Sequence, residues 1–295
     1  MTVAMPLLCL LALVKPQVNA QTPGEWEKVS RALGREGTLQ GQTYRVGFPR
    51  NDLHVTVGAV TVRPALALGS WVALTKTGDS TAMLMGDLVL LPAEVGPVID
   101  ALQSGGVTQT ALHNHLVGET PHIVYLHIGG QGKPEALATA VHTALTRTRT
   151  PLAPPTPAAT PAPALDLDTV QIAQTLGVHG KANGGVYQLS VPRAETITAD
   201  SVTLSGPMGV ATAINFQATG RARAATTGDF VLIASEVNPV IRALRANGIT
   251  VTALHSHLLN ESPRLLFMHF WGEGDAVKLA RGLKAALDVM NIKRS

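Results

Sequence analysis

The chain carries a second copy of itself. Leu33-Gly34-Arg35-Glu36-Gly37 answers to Leu176-Gly177-Val178-His179-Gly180, and Pro49-Arg50 answers to Pro192-Arg193. Gly86-Asp87-Leu88-Val89-Leu90 answers to Gly228-Asp229-Phe230-Val231-Leu232, and Glu94-Val95-Gly96-Pro97-Val98-Ile99 answers to Glu236-Val237-Asn238-Pro239-Val240-Ile241. The longest match sets ALHNHLVGETPHIVYLHIGGQG, from Ala111, against ALHSHLLNESPRLLFMHFWGEG, from Ala253, an offset of about 142 residues. A period of that size marks a domain-sized unit rather than a solenoid repeat. One fold must therefore serve both copies, and polar residues that return in both are candidates for a shared role.

Residues 21–147 are expected to form the first unit and residues 165–295 the second. Between them, residues 148–164 (TRTPLAPPTPAATPAPA) alternate Pro and Ala, which favours an extended, semi-rigid spacer. In the polyproline form it would separate the units by a few tens of Å, at roughly 3 Å per residue. Residues 1–20 read as a secretory leader, with an apolar run from Met5 to Val14 and a small-residue cleavage site, Val18-Asn19-Ala20, although no basic segment precedes the run. That run is too short to span a bilayer comfortably, and no later stretch approaches it, so no transmembrane segment is expected in the mature chain.

Cys9 is the only cysteine and lies within this leader. The mature chain would hold no disulfide, thiolate nucleophile or cysteine metal ligand. Cys9 also sits too early for a lipid anchor at the cleavage point, so the expected location is secreted or periplasmic. With 23 basic and 20 acidic residues the net charge is +3. That balance argues against nucleic acid as the main partner, because phosphate binding needs clustered Lys and Arg.

Within a unit the expected order is helix, several strands, helix, hairpin, helix. Residues 25–33 open as a short helix; 43–48, 54–62, 71–75 and 83–91 alternate or run apolar, with β-branched residues, as strands do. Val95, Val98, Ile99 and Leu102 have helical spacing, and Gly105-Gly106 ends that helix. Residues 109–116 and 122–128 are the strands bearing the histidines, and 134–145 is the closing helix. The fold class is α+β: two tandem repeats of one unit, each a largely antiparallel sheet with flanking helices.

Each copy holds His-x-His, then Glu four residues on, then a third His: His113, His115, Glu119 and His127, and again His255, His257, Glu261 and His269. Two residues apart on a strand, His113 and His115 face one side. Antiparallel pairing through the turn can set His127 opposite His115 or His113 on that side, with Cβ atoms about 5 Å apart. Three imidazoles so placed suit a divalent transition metal and leave a coordination position open, as catalytic zinc does. Glu119 and Glu261 could serve as a fourth ligand, as the general base of a hydrolase, or as an acceptor for an imidazole N–H. A metal-free polar cluster or binding pocket is the bland alternative. HxHxxxE also matches part of the cupin metal motif, but here the chain turns into a helix where further cupin strands would follow.

Other polar residues recur. Asp87 and Asp229 follow Gly on an apolar strand. Glu94 and Glu236 sit at a helix N-terminus, where a carboxylate favours the dipole. Arg50 and Arg193 follow Pro and are candidates for binding an anionic substrate group, or for ion pairs with Asp52 and Glu195. His54, His122, His142 and His179 have no histidine counterpart and read as incidental. Ser256 is not a shared nucleophile, since Asn114 holds its place.

The segments FPRNDLHVTVG, LALGSWVAL, MGDLVLLPAEV and ALHNHLVGETPHIVYLH, with GDFVLIASEVNPVIRALRANGI, ALHSHLLNESPRLLFMHFWGEGD and KLARGLKAALD, resemble the LppY/LpqO-like family of exported bacterial proteins, a domain of unknown function often found in tandem. The second unit departs from the pattern at VPRAETITADS. The resemblance implies export and tandem architecture and supplies no activity. The leading expectation from the residues is a metal-binding protein with one divalent transition-metal ion, zinc first, in each unit. If it is an enzyme, zinc-dependent hydrolysis is the economical chemistry. The alternatives are a non-catalytic module for a small-molecule or cell-envelope ligand, and a metal scavenger.

Overall fold

The computed structural model describes residue 24 and residues 26–153 and 165–293. The expected leader, residues 1–20, and most of the expected linker, residues 154–164, lie outside them. The first half runs α1 (Glu27–Leu33), β1 (Thr38–Gln40), β2 (Thr43–Pro49), β3 (Val55–Val57), β4 (Val60–Val62), α2 (Pro64–Ala67), β5 (Gly69–Lys76), β6 (Ala82–Leu90), α3 (Pro92–Ser104), β7 (Thr108–His113), β8 (Glu119–Thr120), β9 (Val124–Gly132) and α4 (Pro134–Leu145). The second half repeats the order: α5 (Thr169–Leu176), β10 (Lys181–Asn183), β11 (Val186–Pro192), β12 (Ile197–Ala199) and β13 (Val202–Leu204). A 3-10 turn (Gly206–Met208) stands where α2 stood. It is followed by β14 (Ala211–Gly220), β15 (Arg223–Leu232), α6 (Ala234–Ala246), β16 (Thr250–His255), β17 (Glu261–Ser262), β18 (Leu266–Asp275) and α7 (Ala276–Leu287).

Each half is a six-stranded antiparallel sheet, β1-β2-β5-β6-β9-β7 and β10-β11-β14-β15-β18-β16, with a three-stranded satellite, β4-β3-β8 and β13-β12-β17. The α+β reading with flanking helices therefore holds. One expected strand, residues 54–62, is instead the hairpin β3–β4, because Gly58 takes φ +54 and lets the chain reverse. The strand expected to reach residue 116 ends at His113, and the short β8 that follows pairs with β3 rather than joining the large sheet.

β6 explains how the layers form. All nine of its residues are buried, and strand alternation sends them to two different cores. Leu84, Leu88 and Leu90 pack beneath the helices with Val98, Leu102, Leu137 and Val141. Met83, Met85 and Val89 face the other way, and there the two halves meet. Met83 and Met85 pack with Ile197, Leu204, Met208 and Phe267 of the second half. Val89 packs with Leu66, Tyr125, Val186 and Ala225.

Polar bonds tie the same contact. Gln217 takes Arg63 N–H at 2.8 Å and donates to Thr61 O at 2.7 Å; Gln188 donates to Ala65 O at 2.8 Å. Arg45 stacks 3.7 Å over the Trp71 ring and donates to Pro207 O. The units are not held apart as a rigid spacer would hold them. They share two apolar cores, because each large sheet is apolar on both faces and has helices of its own for only one.

Candidate metal centre

β7 and β16 are the last strands of their sheets, and these two edges come together across the contact: Thr252 Oγ1 donates to His115 O at 2.6 Å. The histidines follow. His113 and His255 end β7 and β16, His115 and His257 lie two residues beyond, and His127 and His269 sit in the middle of β9 and β18. A bulge between Gln109 and Ala111 shifts the register, so His127 pairs with Ala111 and lies diagonal to His113; the same bulge puts His269 opposite Ala253.

The six rings form one cluster. Across the contact they stack in three pairs: His113 on His255 at 3.6 Å between centroids, His115 on His269 at 3.8 Å, and His127 on His257 at 3.6 Å. Within each half the rings splay wider, with His113 5.0 Å from His115 and 4.9 Å from His127, and His255 4.9 Å from both His257 and His269. Two sets of ligand atoms converge to within 4.8 Å of one another: His113, His115 and His127, and His113, His255, His257 and His269.

The rest of the surroundings is apolar and carboxylate. Tyr125 stacks on His115 at 3.5 Å, and Phe267 on His257 at 3.4 Å. Asp87 on β6 stands opposite His127 in register, and Asp229 on β15 stands opposite His269. Asp87 Oδ2 is 3.5 Å from His115 Nε2, and Asp229 Oδ2 is 3.3 Å from His257 Nε2. Among the described residues, the buried side-chain nitrogens and oxygens without a hydrogen-bond partner all belong to these histidines and aspartates, apart from Arg35 Nε and Thr110 Oγ1. Leaving so many polar atoms unpaired out of water is costly, and a coordinated ion removes that cost for the ring nitrogens. The tautomers suit it. His269 Nδ1 donates to Gly228 O at 2.9 Å, and His127 bonds the Gly86 backbone, which leaves Nε2 of each ring free as a ligand.

Burial holds all six imidazoles neutral, with His255 pushed down to about 4 and His269 to about 3, and pushes Asp87 up to about 7 and Asp229 well above the carboxylate range. The metal-free protein is therefore expected to lose stability on acidification. The unfolded chain takes up histidine protons near pH 6.5 that the folded chain refuses. The stabilisation is intact above that pH and is lost as pH falls toward the depressed folded values. Asp87 and Asp229 act in the opposite sense, binding protons in the folded state that the unfolded chain has released. Six rings outweigh two carboxylates, so denaturation midpoints should fall between about pH 6.5 and 4; a flat profile would contradict neutral buried rings.

Glu119 and Glu261 are not in either converging set. Glu119 accepts the Ile123 N–H at 3.2 Å and pairs with His122; Glu261 accepts the Leu265 N–H at 2.9 Å and pairs with Arg264. Each carboxylate fastens its own hairpin. The carboxylates beside the rings are Asp87 and Asp229. Their sequence signal is one charged residue at the same place in two otherwise apolar strands.

Arg50 and Arg193 are corrected as substrate-binding candidates. All five N–H donors of Arg50 are engaged, by Asp52, Glu94 and Val89 O, and all five of Arg193 by Glu195, Glu236 and Val231 O. Both guanidinium groups are buried and have nothing left to offer a ligand.

The model of a family described as Domain of Unknown Function (DUF1259) matches residues 27–147 and again residues 170–289. No curated protein matches the chain. Among solved structures, the trimeric bacterial microcompartment shell protein PduB is 14% identical, with 88% of this chain and 95% of that one covered and a TM-score of 0.23. EtuB from Clostridium kluyveri is 15% identical, with 86% and 90% covered and a TM-score of 0.20. Likenesses at those TM-scores carry no argument about this molecule.

Proposed function

The chain belongs, in both halves, to the family described as Domain of Unknown Function (DUF1259); that description carries no activity, and we propose from the site that the protein binds divalent transition-metal ions, zinc first. The ligands are His113, His115 and His127 from one half and His255, His257 and His269 from the other, one ion to each set. The observation that carries the reading is the convergence of neutral imidazoles, three buried and three half-buried, each with a buried ring nitrogen that lacks a partner. Imidazole ligands without thiolate or thioether suit Zn(II), Cu(II), Ni(II) or Fe(II) and disfavour Cu(I). No helix among the described residues is long and apolar enough to cross a membrane.

The reading stops at binding. Hydrolysis by metal-activated water needs a base facing the ion; Glu119 and Glu261 are engaged in their hairpins, and the carboxylates beside the rings are Asp87 and Asp229. Elemental analysis of full-length protein, purified without a metal-binding tag and loaded with zinc, is expected to show bound metal that is lost in a His115→Ala, His257→Ala double variant. Protein that holds no metal under those conditions would sink the reading. Export, in keeping with the LppY/LpqO-like resemblance, belongs to the same proposal; N-terminal sequencing of the secreted protein should then begin at Gln21, and retention of Met1 would contradict it.

A further inference from the structure

The two histidine sets have a member in common. A ring nitrogen of His113 lies within 4.8 Å of ligand atoms in its own half's set and in the other half's set as well. Both of its nitrogens are buried and have no hydrogen-bond partner. Its counterpart differs: His255 Nδ1 faces Ser256 O at 3.3 Å, which leaves that ring one free nitrogen. Three cross-half stacks, at 3.6 to 3.8 Å, lay the two sets directly against each other rather than side by side as separate pockets.

We propose that the cluster is a dinuclear centre in which His113 bridges two divalent ions through its two ring nitrogens. The inference rests on the metal-binding reading above and adds the link between the sites. An imidazole with two metal ligands has no place for its N–H proton. That proton leaves to solvent as the second ion binds, the ring stays as imidazolate, and no electron changes hands. The imidazolate offsets one of the four positive charges that two such ions bring into a site of low dielectric. The chemistry selects ions that compete well for imidazole nitrogen, Cu(II) and Zn(II) first.

The test uses Cu(II) as a spin-bearing probe on the full-length, untagged chain, with elemental analysis to count ions and electron paramagnetic resonance to count spins. Two copper ions per chain are expected, with a spin intensity far below the copper present, because exchange through a shared imidazolate pairs the spins. His113→Ala should raise the spin intensity to match whatever copper it binds. His255→Ala, which leaves His113, His257 and His269 for its set, should keep the spins paired. A wild-type chain with two copper ions at full spin intensity, or with a single ion, overturns the bridge and leaves metal binding standing; a chain with no copper overturns both. If His113→Ala does not fold by circular dichroism, the wild-type spin count decides.

Discussion

Saturating zinc is expected to raise the melting temperature of the metal-free, full-length chain by on the order of 10 °C. The folded chain presents neutral imidazoles already gathered and stripped of water, whereas the unfolded chain scatters the same residues. A ligand that binds only the folded state, at about a thousandfold over its dissociation constant, stabilises by about 4 kcal/mol. For a chain of this size each kcal/mol moves the midpoint by roughly 2–4 °C. Calcium and magnesium, which take oxygen ligands, should leave the curve where it was. The His115→Ala, His257→Ala double variant should lose the zinc shift. His122→Ala, whose ring lies on the Glu119 hairpin outside both converging sets, should keep it. Differential scanning calorimetry with and without a chelator makes the comparison; a wild-type midpoint that ignores zinc contradicts binding to the folded protein.

Arg50→Ala is expected to cost about 3–5 kcal/mol of folding stability, the range for breaking one side of a buried ion pair. The Arg50 side chain is 0% exposed and that of Glu94 10%, so the carboxylate left behind keeps its charge out of water. The loss spreads, because Glu94 also accepts the Leu91 and Arg149 N–H groups and so joins the start of α3 to the chain that follows α4. Arg193→Ala should behave alike, since Glu236 accepts the Ile233 and Asn291 N–H groups in the same manner. Arg50→Lys should rescue little, because an ammonium cannot reproduce the planar five-donor fork. Asp52→Ala should cost less, about 1–3 kcal/mol, because it strips the buried guanidinium of the partner for its Nε and one Nη2 N–H while Glu94 still balances the charge. Urea unfolding measures all of these. An Arg50→Ala chain as stable as wild type but with weakened binding of an anionic ligand would restore the substrate-binding reading that the buried donors argue against.

Some of the site was legible in residue order and some was not. His113 and His115 reach the same cluster, as a spacing of two suggests, yet His115 lies past the end of β7 and not on the strand. The position of His127 opposite Ala111 depends on a bulge that carries no clear sequence mark. Glu119 and Glu261 looked like site carboxylates because they lie close to the histidines along the chain. Asp87 and Asp229 reach the rings from strands far away in sequence, through β-ladder pairing alone. Arg50 and Arg193 were visible as a repeated Pro-Arg, but the engagement of every donor is a fact of three-dimensional packing.

The amino-acid order alone determined the duplication, the α+β class, the antiparallel strand pair bearing the histidines and the residue types available to hold an ion, because each of these is written in local periodicity and in the match of one half to the other. Only the tertiary structure decided that the halves share their cores and that two histidine sets become one cluster. The reason is that a repeat fixes what each copy looks like and leaves open how the copies pack. That arrangement is set by the second apolar face of each sheet, buried against the other half, which brings the edge strands β7 and β16 together with their imidazoles between them.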